Sequence, residues 1–218
     1  MPADRPAVMQ WPDFGPVGIC THGFITRLPE VDVVTDRETA MQRLFPLHQQ
    51  CLREAGVDPD ALATAEQVHG SSVAVVEQSG RTSGVDALVT NCPSLPLGIY
   101  VADCAAVYFL DPVRRAIGLA HSGKKGTEGR IVVATLETMR EAFGCDPSAL
   151  TALVSPCIRP PHYEVDIAAL IRGQLDECMV GKVIDSGICT AAQNDHFYSY
   201  RRELGQTGRM LAYLELLG

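Results

Sequence analysis

The stretch Leu97 to Thr127, LGIYVADCAAVYFLDPVRRAIGLAHSGKKGT, decides how the chain folds. An apolar run ends at Asp103-Cys104, and a second extends from Ala105 to Leu110. A turn signal follows at Asp111-Pro112-Val113-Arg114, and a third run leads from Arg115 into Ala120-His121. Two apolar runs around such a turn predict a β-hairpin. With the turn at residues 111–114, Leu110 faces Arg115, and stepping outward brings Cys104 opposite His121. Directly opposed residues of an antiparallel pair have Cβ atoms about 4.5 to 5.5 Å apart. That spacing suits two ligands of one metal ion or a Cys-His nucleophile pair. A slip of one residue would send the two side chains to opposite faces, so the turn assignment carries the inference.

On the N-terminal side, residues 17–27 read as a first strand that carries His22 and ends at Arg27. Thr35-Asp36-Arg37-Glu38 has capping-box spacing and opens a helix to Ala55, stopped by Gly56 and kinked or divided at Pro46. His48 and Cys51 belong to that helix as core or surface residues. Ala63 to Glu77 reads as a strand, a break at His69-Gly70 and a second strand from Ser72. Gly70 lets the backbone approach closely there. Ser79 to Gly84 is a polar loop, and Asp86-Ala87-Leu88-Val89-Thr90 a short buried strand.

On the C-terminal side, Ser122-Gly123-Lys124-Lys125-Gly126-Thr127-Glu128 precedes a helical pattern that Gly144 stops. Strand, glycine-rich turn, helix N-terminus and two lysines together predict an anion site. Residues 118–124 match the opening of a P-loop, but Lys125 stands where a Ser or Thr should hold magnesium, and the strands before it are antiparallel, so an NTPase is rejected. Residues 149–154 predict a strand, 156–165 a proline-rich irregular segment, and Asp166 the start of a helix to about Met179. Residues 195–202 and 208–217 read as two strands, with arginines that either bind an anion or are simply solvated.

A chain of 218 residues with 46% hydrophobic and 20% charged residues is an ordinary globular protein rather than a disordered one. We expect a single domain over residues 17–218 preceded by an N-terminal segment, residues 1–16. The net charge of -8 argues against nucleic acid or an anionic membrane as a partner. The opening residues lack an export signal, and no apolar run is long enough for a membrane span. The expectation is a cytoplasmic protein whose eight cysteines, none in a C-x-x-C pair, are mostly reduced.

The motifs Gln67-Val68-His69-Gly70, Asp86-Ala87-Leu88-Val89-Thr90, Ala102-Asp103-Cys104, His121-Ser122-Gly123 and Tyr163-Glu164-Val165 come in order. Phe197-Tyr198-Ser199-Tyr200-Arg201-Arg202 and Thr207-Gly208-Arg209-Met210 complete the series. Together they resemble the successive signatures of the YfiH-like, or polyphenol-oxidase (laccase-domain), family from about Val17 to the end. The resemblance implies a mixed α/β (α+β) single domain with a mixed, largely antiparallel sheet core flanked by helices. It also implies that His69, Cys104 and His121 converge on a zinc ion with an open fourth position.

By the same resemblance the expected activity is purine nucleoside phosphorolysis of adenosine, inosine or methylthioadenosine, with adenosine deamination beside it. The partners are then a purine nucleoside and inorganic phosphate. Lys124, Lys125 and the helix N-terminus at Gly126-Thr127 are expected to hold the phosphate, with Arg201 or Arg27 as further candidates.

This chain departs from the family pattern in having Lys124-Lys125 where Trp-Arg is usual after H-x-G. It also has Leu28-Pro29-Glu30-Val31-Asp32 in place of a glycine-rich segment, and His162 before Tyr-Glu-Val. Three other readings stay open. One is a metal-free Cys-His amidase editing peptidoglycan precursors, with Cys104 as nucleophile, His121 as base and His69 in support. Another is a non-catalytic nucleoside-binding homologue. The third, a copper-dependent polyphenol oxidase, would have only His22, His48, His162 and His196 left to build its further copper centres.

Overall fold

The predicted hairpin forms the middle of a six-stranded sheet buried on both faces. The computed structural model describes residues 7–218. In chain order the strands are β1 (Val8–Met9), β2 (Cys20–Ile25), β3 (Ala63–Ala65), β4 (Val73–Val75), β5 (Gly80–Thr82), β6 (Ala87–Thr90) and β7 (Leu97–Val101). They continue with β8 (Ala105–Asp111), β9 (Ala116–Ser122), β10 (Thr151–Val154), β11 (Lys182–Asp185) and β12 (Met210–Leu216). The α-helices are α1 (Arg37–Glu54), α2 (Lys124–Glu128), α3 (Ile131–Phe143) and α4 (Ile167–Glu177). One sheet has the order β1-β2-β12-β7-β3-β5, the other β11-β10-β8-β9-β6-β4.

Period-two alternation explains how the second sheet is buried twice. Ala106, Tyr108 and Leu110 of β8, with Ile117 and Leu119 of β9, join one core that also holds Phe24, Ile99 and Leu211 of the first sheet and Leu44 of α1. Their neighbours Ala105, Val107, Phe109, Ala116 and Ala120 join a second core under Leu136 and Met139 of α3 and Ile171 and Leu175 of α4. Every residue of β8 and β9 is therefore buried, which is why both runs are continuously apolar. The result is a single mixed α+β domain, and no helix among the described residues is long and apolar enough to cross a membrane.

Several details differ from the sequence reading. Leu110 pairs with Ile117 and Ala106 with His121, so the register is shifted by two residues from the one expected. Asp111 stays in the strand and accepts the amides of Val113 and Arg114, moving the turn to residues 112–115. The helix over Pro46 is one continuous piece. Gln42, whose carbonyl loses its partner to the proline, lies on the solvent side with Pro46. Asp36 caps that helix, accepting the Thr39 amide.

Residues 80–82 pair in parallel with β3, although Ser79 to Gly84 read as a loop. β11, unforeseen, pairs in parallel with β10. Residues 195–202 form turns rather than a strand, with Asp103 accepting from Ser199 and from the amide of Arg201 in place of a ladder. Ahead of residue 17, β1 pairs with β2, and Phe14 is fully buried in the first core. The described part of the expected N-terminal segment, residues 7–16, is thus packed into the domain, and residues 1–6 lie outside the described ones.

Candidate metal centre

The two-residue shift in register leaves Cys104 and His121 on the same face, because side chains alternate with a period of two. The β6–β9 ladder pairs Ala87 with Ala120, and one step further puts Asp86 opposite His121. Asp86 is fully buried, and its Oδ1 lies 2.8 Å from His121 Nδ1. That bond turns the other ring nitrogen of His121 toward Cys104.

His69 arrives from the segment that leaves β3 in the first sheet and enters β4 in the second. The same carboxylate receives it: the amide of His69 donates to Asp86 Oδ1 at 2.9 Å and that of Gly70 to Oδ2 at 2.7 Å. The left-handed backbone of this segment falls on Gln67 and His69, whose φ angles are 65° and 62°. Gln67 is held there by its side chain, which donates to Tyr100 O at 2.6 Å and accepts from Tyr100 N at 2.9 Å. Asp103, with φ 77°, makes the bend before Cys104. Thr190 Oγ1 at 2.6 Å, Ser199 Oγ at 3.0 Å and the Arg201 amide at 2.7 Å all donate to its carboxylate. Left-handed backbone at three non-glycine residues is sustained because surrounding bonds over-determine it.

The ligand atoms of His69, Cys104 and His121 lie within 4.8 Å of one another. Burial would raise the Cys104 pKa, but hydrogen bonds from His121 and His69 outweigh it and bring the thiol down. Burial would lower that of His121, but Asp86 and Cys104 outweigh it and hold the imidazole up. Without metal the pair is thus biased toward thiolate and imidazolium. One thiolate and two imidazoles suit zinc, and a carboxylate behind a ligating histidine is the usual outer-shell partner, so these residues fit such an ion. Gly123 belongs to the same packing. A Cβ there would stand 2.7 Å from Cys104 Sγ.

The cluster lines a cleft of about 1030 Å³. Lys124, Lys125 and Arg201 line it too, whereas Arg27 and Thr127 do not. Arg27 pairs with Glu203 at 2.7 Å and lies over the Tyr198 ring. Thr127 is buried inside α2, its hydroxyl donating to Gly123 O at 2.8 Å. The predicted helix N-terminus at Gly126-Thr127 lies inside that helix, which starts at Lys124 and spans five residues. The Thr127 amide is spent on Gly123 O. Arg201 and Lys124 share Glu164, at 3.0 and 3.9 Å.

Sequence reasoning passed over Asp86, Arg37 and Arg209. Asp86 stands in the sequence as the first residue of a short strand and of one motif, with no sign there that it reaches a histidine. Arg37 read as a helix-opening residue and Arg209 as part of a motif, and neither carried a signal of the cleft they line.

A family model described as multi-copper polyphenol oxidoreductase laccase matches residues 32–167 and 162–217. A purine nucleoside phosphorylase of Deinococcus radiodurans is 37% identical over 187 residues, 74% of this chain and 72% of its own length. An adenosine deaminase from an unknown prokaryotic organism is 33% identical over 122 residues, 51% of this chain and 46% of its own. The crystal structure of YlmD from Geobacillus stearothermophilus shares the fold with a TM-score of 0.83 at 24% identity, covering 95% of this chain and 94% of that one. The family match spans all three ligand-bearing segments, and the chain belongs to the laccase-type polyphenol oxidoreductase family, the YfiH-like family that its motifs resemble.

Proposed function

We propose that the chain is a zinc-dependent purine nucleoside phosphorylase with accompanying adenosine deaminase activity. The observation that carries this reading is the His69–Cys104–His121 cluster in the lining of a cleft roomy enough for a nucleoside and an anion. His69, Cys104 and His121 would hold the metal, which when bound supplies Lewis-acid activation of a water or substrate oxygen. The residues of the chain do the rest. Asp86 keeps the Nδ1 proton of His121 directed away from the ligand cluster. Tyr163 and Tyr200 offer ring faces and Ile158 apolar surface for a base.

Asp86 and Asp103 are the carboxylates nearest the cluster, and each is filled by three donors. Neither is free to act as a general acid. Negative charge on a departing purine and on phosphate then falls to the cleft's cations, Lys124, Lys125 and Arg201 among them. Purine nucleoside phosphorylase and adenosine deaminase are also the names borne by the two relatives.

One observation favours a second reading. The lowered Cys104 and raised His121 also describe an activated thiolate for a metal-free Cys-His amidase. A polyphenol oxidase with several copper centres is not favoured. Among the described residues this cluster is the one group of three or more metal-ligating side chains, and His22 is occupied by the Trp11 amide in an aromatic cluster.

The deciding assay is release of free purine from inosine and adenosine with and without phosphate, on protein of measured zinc content, with Cys104→Ser beside it. Phosphate-dependent release that is lost in the variant supports the phosphorylase. Zinc-free protein whose Cys104 is rapidly alkylated, and which releases no purine, would instead favour the amidase.

A further inference from the structure

The cations of the cleft divide by whether a carboxylate answers them. Arg201 and Lys124 both face Glu164. Arg209, Arg37 and Lys125 line the same cleft without an ion pair to any carboxylate among the described residues, and of these three Arg209 is the one partly withdrawn from solvent, Lys125 being an exposed side chain of the five-residue α2.

Arg209 is nevertheless held in place. Its Nη1 donates to Thr207 O at 3.1 Å and Gly208 O at 2.9 Å, and its guanidinium lies 5.8 Å from the centre of the Tyr200 ring. The chain enters β12 immediately after it, and Met210 pairs with Val101, so Arg209 stands beside Ala102, two residues before Cys104. Arg37 reaches the cleft from the first turn of α1. Burial lowers the pKa of Arg209, and the positive charge of Arg37 lowers it further. Cys104, Tyr200 and Asp103, in that order, counter this in part, but the Cys104 sulfur belongs to the ligand cluster and the Asp103 carboxylate is already filled by Thr190, Ser199 and the Arg201 amide. Two guanidiniums that repel each other in a half-buried cleft are stabilised by an anion between them.

We infer that Arg209 and Arg37, with Tyr200 beside them, form a subsite for a phosphoryl oxyanion on the first-sheet side of the ligand cluster, and that this pair rather than Lys124 and Lys125 takes the anion. The choice of inorganic phosphate as that anion rests on the phosphorylase reading. A guanidinium already fixed by its own backbone carbonyls loses little freedom on engaging phosphate oxygens, and its planar fork matches them in pairs. The exposed lysines offer point charges on flexible stems. A nucleoside 5′-phosphate would present the same oxygens.

Calorimetric titration of the full chain with inorganic phosphate, and separately with adenosine monophosphate, tests this on the wild type, Arg37→Met, Arg209→Met and the Lys124→Met/Lys125→Met double variant. Arg37 is exposed, so its substitution leaves the fold intact and decides the matter even where Arg209→Met unfolds. Phosphate affinity that falls about tenfold or more in Arg37→Met, and by less than about threefold in the lysine variant, supports the subsite. Binding of adenosine monophosphate alone, weakened by Arg37→Met, also supports it and assigns the phosphoryl group to a nucleotide. Phosphate affinity unchanged in Arg37→Met, or lost only in the lysine variant, overturns it.

Purine release separates the two readings. Phosphate-dependent release with an unchanged KM for phosphate in Arg37→Met removes the subsite and leaves the phosphorylase. Arginine-dependent phosphate binding without any purine release removes the phosphorylase and leaves the subsite.

Discussion

At the floor of the cleft, two histidine segments are tied together by one buried carboxylate, and the bend before the cysteine is fixed by a second, Asp103. At its rim, Lys124, Lys125 and Arg201 stand in solvent, and two of them share one exposed Glu164. The floor hangs from strand ladders and from backbone bends that surrounding bonds over-determine. Moving Asp86 or His121 breaks a bond whose groups are already out of water. The rim consists of long side chains on a five-residue helix and a turn, where ion pairs are screened and their loss costs little. The Lys124-Lys125 pair noted above as a departure from the resembled motifs falls on this rim, and the motif residues His69, Cys104, His121 and Asp86 on the floor.

The sharpest way to break this contrast is at the ligands. Cys104→Ser or His121→Ala should abolish stoichiometric zinc, measured by metal analysis after dialysis, and with it any purine release. Full zinc retention in both would show that the cluster is not a metal centre. Asp86→Asn should leave the ligands in place but lower zinc affinity by about 10- to 100-fold in a competition titration. Asp86→Ala removes the partner of a buried imidazole and two amides, and should cost about 3 to 5 kcal/mol of stability on denaturant unfolding. A smaller loss would mean that the two sheets do not depend on this carboxylate.

Gly123→Ala tests the packing alone. Its φ of -90° suits alanine, yet the added methyl meets the Cys104 sulfur. We expect weaker zinc binding with a stability loss of about 1 to 3 kcal/mol, and wild-type metal affinity would show that the floor yields more readily than described. The smallest effect belongs to the rim. Glu164→Gln should change stability by less than about 0.5 kcal/mol, and should strengthen nucleoside or anion binding only at low salt. A large loss of stability there would erase the distinction between floor and rim.

Much of this was legible from the residues. The two continuous apolar runs around Asp111-Pro112 announced the central hairpin, and motif resemblance singled out His69, Cys104 and His121. The register was misjudged by two residues because Asp111 was assigned to the turn rather than to the strand it ends. Cys104 and His121 stayed on one face only because the error was even. Asp86 went unnoticed since its role exists only once β6 lies beside β9. Thr127 was expected at a helix start because glycines precede it, whereas the chain turns helical three residues earlier, at Lys124. Arg27 looked like a free cation until the turns at residues 195–205 brought Glu203 to it.

The sequence by itself determined the strand periodicity, the chemical identity of the candidate ligands and the character of a buried sheet. Those follow from side-chain alternation and burial along short stretches of chain. Only the tertiary structure decided that His69 reaches Cys104, that one carboxylate serves both histidine segments, and which cations face an acid and which do not. Those facts depend on segments far apart in the chain meeting across two sheets. No local spacing encodes the distance at which they meet.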